Sequence, residues 1–149
     1  MRRARMVPEF DLRTFPIDSI LRQAVSLDVD RAKDAWSVLA TMAGHDRPEA
    51  GIFLLGLMRL HEGDLTRMAI LVRAVASFPS SAAAEVLKAE FYRVPSSPAT
   101  RTYLNEVLRA LTLLPEPLSH QALTALANDQ TLSVKWRHRF EEAAWQLDG

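Results

Sequence analysis

The chain carries four histidines, His45, His61, His120 and His138, and no cysteine. Without thiols there is no disulfide, no Cys-ligated zinc, no iron–sulfur cluster and no Cys nucleophile. No two histidines stand at metal-ligand spacing. The nearest thing to a ligand cluster is His61-Glu62-x-Asp64, which straddles a helix end, where Glu62 reads as surface and Asp64 as a cap. Glu141 and Glu142 are neighbours and point about 100° apart on a helix, so they do not form an acid–base pair. Ser80, Ser81, Ser96 and Ser97 fall in turns, outside any strand–Gly-x-Ser-x-Gly setting. There is neither a phosphate loop nor a dinucleotide fingerprint. The chain therefore reads as non-enzymatic, with no catalytic residue, no metal and no cofactor.

Arginine offers more. Arg101, Asn105 and Arg109 recur every four residues and form one helical stripe. Lys135, Arg139 and Glu142 form a similar line further on. Guanidinium groups bind carboxylates and phosphates through paired hydrogen bonds, so a row of them is a binding surface in chemical terms. The competing reading is a solvated face whose charges pair locally, Arg109 with Glu106 for example. Tyr103 and Trp145 are the aromatic candidates. Trp136 fits the core stripe of its helix, whereas Trp145 lies off it, in line with Val134, His138 and Glu141. An exposed Trp there would anchor a partner. The favoured reading is that Trp145 folds down to cap the end of the core.

These residues are positioned by helices. Apolar residues recur at helical spacing almost throughout, and Pro, Gly and Asp punctuate them. The pattern predicts eight helices, over about 17–27, 30–43, 47–61, 64–78, 80–93, 98–114, 117–128 and 131–147, and essentially no strand. Asp46 and Glu49 have capping-box spacing with Pro48 in the first turn. Gly63 reads as a left-handed stop and Asp64 as the next N-cap, and Ser97 as an N-cap ahead of Pro98. Connections are short, so neighbouring helices must run antiparallel.

A segment is also written twice. Residues 71–89 (LVRAVASFPSSAAAEVLKA) align without a gap on 107–125 (VLRALTLLPEPLSHQALTA), a period of 36 with five identities in nineteen. Arg73 meets Arg109, Pro79 meets Pro115, and Leu87 meets Leu123. Each copy spans a helix end, a Pro-marked turn and most of the next helix, as in stacked helical pairs. One antiparallel pair cannot cover its own apolar faces, and stacking makes a continuous core. The equivalence also predicts that Arg73 and Arg109 project in the same direction from neighbouring helices.

The totals narrow the class. The 149 residues suffice for one domain, with 48% hydrophobic and 24% charged residues, an ordinary globular composition. Lys plus Arg equals Asp plus Glu at 18 each, which weighs against a general nucleic-acid binder, whose affinity comes from basic excess. MRRARM starts like a signal peptide but no apolar stretch follows, and GIFLLGLM is far shorter than the ~20 residues a membrane span needs. The expectation is a cytoplasmic protein that does not enter membranes. Residues 1–16 read as an extension whose Phe10, Leu12 and Phe15 pack back as a cap or meet another subunit, and residues 17–149 as one helical-repeat domain.

ALTALANDQTLSVKWRHRFEEAAWQL, residues 122–147, resembles a HEAT repeat. Asp129 closes an apolar helix, Val134 and Lys135 follow the turn, and Ala143 and Ala144 sit in the second helix. LMRLHEGDLTRMAILVRAV, 57–75, is a looser match with Asp64 at its turn. The resemblance implies an all-α fold of four antiparallel pairs stacked as a short right-handed HEAT-like (armadillo/HEAT-type) solenoid, with a closed helical bundle as the alternative. It places 30–43, 64–78, 98–114 and 131–147 on the concave face. It implies binding of another macromolecule and no chemistry. The expected function is a protein–protein interaction scaffold for an acidic or helical segment, with Arg73, Arg101, Tyr103, Asn105, Arg109, Lys135, Arg139 and Trp145 as partner-binding residues. The alternatives are a bacterial immunity-type protein that neutralises a toxin, and a nucleic-acid-binding HEAT-like module. The expected state is a monomer or a weak homodimer.

Overall fold

The computed structural model describes residues 16–148. They form α1 (Asp18–Ala24), α2 (Val29–Ala43), α3 (Pro48–Leu60), α4 (Leu65–Val75), α5 (Ser81–Arg93), α6 (Arg101–Leu113), α7 (Leu118–Ala127) and α8 (Val134–Asp148), with no strand among the described residues. The fold is all-helical, and each helix read from the sequence is present. The expected cap formed by the N-terminal extension, with Phe10, Leu12 and Phe15, lies outside the described residues.

Side chains set several of the helix starts. Asp64 accepts from the backbone N–H groups of Thr66 (3.1 Å) and Arg67 (3.2 Å), and Ser80 accepts from that of Ala83 (3.1 Å). Two helices begin three residues later than their apolar pattern suggests. Ahead of α6, Thr100 Oγ1 donates to the Pro95 carbonyl (2.6 Å) and accepts from the Ser97 N–H (3.0 Å), which ties 95–100 into a turn. Ser97 is therefore not the N-cap. Ahead of α8, Asp129 accepts from the N–H (2.9 Å) and hydroxyl (2.7 Å) of Thr131, and Ser133 accepts from the Trp136 N–H. Local side-chain bonds of this kind compete with helix.

Two further turns differ from expectation. Asp46 is not an N-cap: it takes a left-handed φ of 65°, which Asp tolerates better than most residues, while Arg47 holds the N-cap position without a side-chain cap bond. Glu49 pairs instead with Arg47 Nε at 2.6 Å. Gly63 does not take a left-handed conformation. The end of α3 is closed by ordinary turns, His61 N–H to Leu57 O (3.0 Å) and Asp64 N–H to His61 O (2.9 Å).

The core runs the length of the described chain. Trp36 is fully buried and donates its indole N–H to the Ala24 carbonyl at 2.9 Å, which fixes α1 on α2. At the other end Phe91, Trp136 and Phe140 pack ring against ring with centroids 4.8–5.7 Å apart. The principal helix contacts all join helices adjacent in the chain or one apart. The even helices form one series, α2 on α4, α4 on α6 and α6 on α8, and α5 packs on α7. The sequence repeat maps onto this arrangement. Leu87 and Leu123 are both fully buried, as are Val75 and Leu111, and Phe78 and Leu114 are nearly so.

Candidate functional site

The α4–α6 contact brings the repeat-equivalent arginines to one carboxylate. Arg73 Nε donates to Glu106 Oε1 at 2.6 Å and its Nη2 pairs with the same oxygen, while Arg109 Nη1 lies 3.9 Å from Glu106 Oε2. The Glu106 side chain is only 13% exposed, whereas Arg73 and Arg109 are 59% and 69% exposed. One sunken anion thus bonds one exposed cation and has a second close by. The position of each follows from its helix: Arg73 lies in the last turn of α4, and Glu106 and Arg109 are one turn apart on α6.

Beside Arg73 a groove of about 420 Å³ runs between α2 and α4, with Lys33, Trp36, Thr41, Ile70, Arg73 and Ser77 among its lining residues. Its rim is cationic and part of its wall is apolar. Lys33 Nζ lies 3.6 Å from Asp30, a pair with both partners well exposed and therefore weak. Across groove and cluster, Lys33, Arg73 and Arg109 face two carboxylates, Asp30 and Glu106.

The other sequence-selected residues divide. Arg101 is exposed on α6, one turn before Asn105, whose Oδ1 is buried without a hydrogen-bond partner. Tyr103 does not reach the groove. It is buried, and its hydroxyl donates to Glu90 Oε1 at 2.6 Å. Burial, and next the bond to Glu90, push its hydroxyl far above the usual tyrosine value. Its spacing with Val107 and Leu111, four and eight residues on, was the available signal that it belongs to the core. Arg139 lies over the Trp136 ring, Cζ 4.4 Å from the centroid, a cation–π contact that occupies its charged end. Lys135 and Trp145 are exposed on α8. Trp145 is 74% exposed, so it does not fold over the end of the core, which Trp136, Phe140 and Ala144 already fill.

Sequence reasoning missed three features. Lys33 carried no pattern of its own. The Arg73–Glu106 pair spans 33 residues and appears only when α4 meets α6. The third is the buried Glu90, which accepts from Arg93 Nε (2.9 Å) and Nη2 (2.6 Å) as well as from Tyr103, while Arg93 Nη1 donates to the Glu62 carbonyl. The three-residue spacing of Glu90 and Arg93 was its only trace.

His61 does not join a ligand set: among the described residues no group of three or more His, Asp or Glu is placed to hold a metal ion. Its pKa is lowered, first by burial and then by the nearby Arg67 guanidinium. A second groove, about 350 Å³, lies between α5 and α7 and includes Lys88, Tyr92, Leu126 and Asp129, with the Tyr92 hydroxyl donating to Asp129. Among the described residues no helix is long and apolar enough to cross a membrane. Comparison with protein-family models, with curated proteins and with solved structures found no match.

Proposed function

We propose that the chain is a non-catalytic, cytoplasmic protein-binding scaffold: a short HEAT-like solenoid whose even helices present a cationic face to an acidic or helical segment of another protein. Support for the stacked arrangement comes from the packing order. Principal contacts reach no further than one helix beyond the neighbour, and α2, α4, α6 and α8 follow one another as a layer. A closed bundle needs first and last helices in contact with distant ones.

The observation that carries the binding role is the Arg73–Glu106–Arg109 cluster beside the α2–α4 groove. Glu106 takes the Nε/Nη2 edge of Arg73, while Arg109 stands 3.9 Å away with its guanidinium donors not bonded to Glu106. An incoming carboxylate completes the pattern with charge-assisted bonds, and the apolar wall at Ile70 and Ala74 covers the neighbouring side chain. Because the Arg73 guanidinium is already held by Glu106, ordering it costs little on binding.

The test is calorimetric titration of the full chain with helical peptides carrying Glu on one face, against the same peptides carrying Gln. The Glu series binds and the Gln series does not, and the Arg73→Glu/Arg109→Glu variant loses about tenfold or more in affinity for the Glu series. Equal binding of both series, or binding indifferent to that charge reversal, removes the reading.

A further inference from the structure

α8 is the last helix among the described residues, and its principal contacts are with α7 and α6. Trp136, Phe140 and Ala144 take its buried side. On the opposite side stand Val134, His138, Glu141 and Trp145, all exposed, with Val134 at 72%. At about 100° per residue these four stay on one line along the helix. Their spacing of four, three and four residues is that of a coiled-coil seam.

We propose that this seam is a self-association surface on which a second copy of the chain lays its own α8 antiparallel. The seam is complementary to itself when reversed. Val134 and Trp145 are centred on the same point of the helix as His138 and Glu141, between Arg139 and Phe140. Turning a second helix end for end therefore sets Val134 against the other copy's Trp145, and His138 against the other copy's Glu141. An imidazole N–H donates to a carboxylate there, and an indole meets an aliphatic side chain. A parallel partner instead sets Glu141 against Glu141, a like-charge contact. The flank agrees with the seam: Lys135 and Glu142 lie on the same side of it, and the reversed copy brings its Glu142 beside Lys135. Two-fold symmetry makes each of these contacts twice.

The surface beside the seam is shaped for the largest of these groups. Ala127, Val134, Arg137, His138 and Glu141 line a shallow, open dent of about 190 Å³ at the Val134 end. That is where the second copy's Trp145 arrives, and it has room for the edge of an indole. Tryptophan in such a dent is the residue type that most often dominates an interface. One helix pair covers less surface than the roughly 1,200 Å² of a stable complex, so the dimer is weak and concentration-dependent. This surface shares no residue with the Arg73–Glu106–Arg109 cluster, and it stands whether or not that cluster binds a partner.

Sedimentation velocity of the full chain, over a concentration series from micromolar to near-millimolar, tests it. The wild type passes from monomer to dimer. Trp145→Ala and Glu141→Lys each weaken association about tenfold or more, and the exchanged pair His138→Glu/Glu141→Lys restores it. Arg73→Glu/Arg109→Glu associates like the wild type. Thermal melts confirm that each variant is folded, and Glu141→Lys, a surface change, carries the test if Trp145→Ala is not. A wild type monomeric throughout, a Glu141→Lys variant that dimerises as before, or an exchanged pair that stays monomeric overturns the proposal.

Discussion

Glu90 takes a carboxylate into the core at 4% exposure, and three hydrogen bonds answer it, two from Arg93 and one from Tyr103. A buried charge without partners is costly, so the pair matters more when broken than it contributes while intact. Glu90→Ala leaves the Arg93 guanidinium and the Tyr103 hydroxyl without their acceptor and lowers stability by about 3 kcal/mol. Tyr103→Phe removes one donor while Arg93 still serves Glu90, and costs about 1 kcal/mol. Urea denaturation of the two variants measures both, and equal losses would mean that Tyr103 rather than Arg93 anchors the network. At the same scale Glu106 differs from Glu90 in kind. Its partners are exposed, so it positions charge at the surface more than it holds the fold together.

The α3 helix shows what an element tolerates. Gly51 and Gly56 both lie inside it, and glycine inside a helix ordinarily costs about 0.5–1 kcal/mol relative to alanine. A Cβ on Gly51 would stand 2.9 Å from Phe78 Cε2 and 3.4 Å from the Ala43 Cβ, and Phe78 is itself buried. Gly51 is thus the point where α3 closes on the turn after α4 and on the end of α2. A Cβ on Gly56 meets nothing within 4 Å. Gly56→Ala should therefore raise stability by about 0.5–1 kcal/mol, and Gly51→Ala should lower it by about 1 kcal/mol as Phe78 is displaced. Chemical denaturation of the two variants reads out the opposite signs. Identical stabilisation by both would mean that the Phe78 ring moves aside freely. Element by element, all eight helices were legible because their apolar stripes are strong. The starts of α6 and α8 were not, because Thr100 and Asp129 bind their own turns and delay the helix.

Across the described residues, principal contacts that join near neighbours in the chain mean that each helix pair depends on the pairs beside it. The middle helices are covered on both sides, while α1 packs principally on α2, and α8 on α7 and α6. Stability should grade accordingly. Native-state hydrogen exchange is expected to show α4 and α6 amides opening only with global unfolding, and α1 and α8 amides opening at lower free energy. Uniform protection from α1 to α8 would point to a single cooperative core and against a stack. The α8 dimer proposed above adds protection to that helix alone, and only at high protein concentration.

The helical class, the number of helices and the repeat of 36 residues were determined by sequence alone, since each rests on local periodicity and on turn residues a few positions apart. The repeat also carried the equivalence of Arg73 and Arg109, because corresponding residues of adjacent copies must face the same way. Only the tertiary structure decided what these residues meet. Glu106 lies 33 residues from Arg73, and their pairing depends on the distance between two helix axes, which no local pattern encodes. The same holds for Tyr103, drawn inward by Glu90, for Arg139, laid on Trp136, and for Trp145. Trp136 and Phe140 take the places at that end of the core, and the last tryptophan stands in solvent.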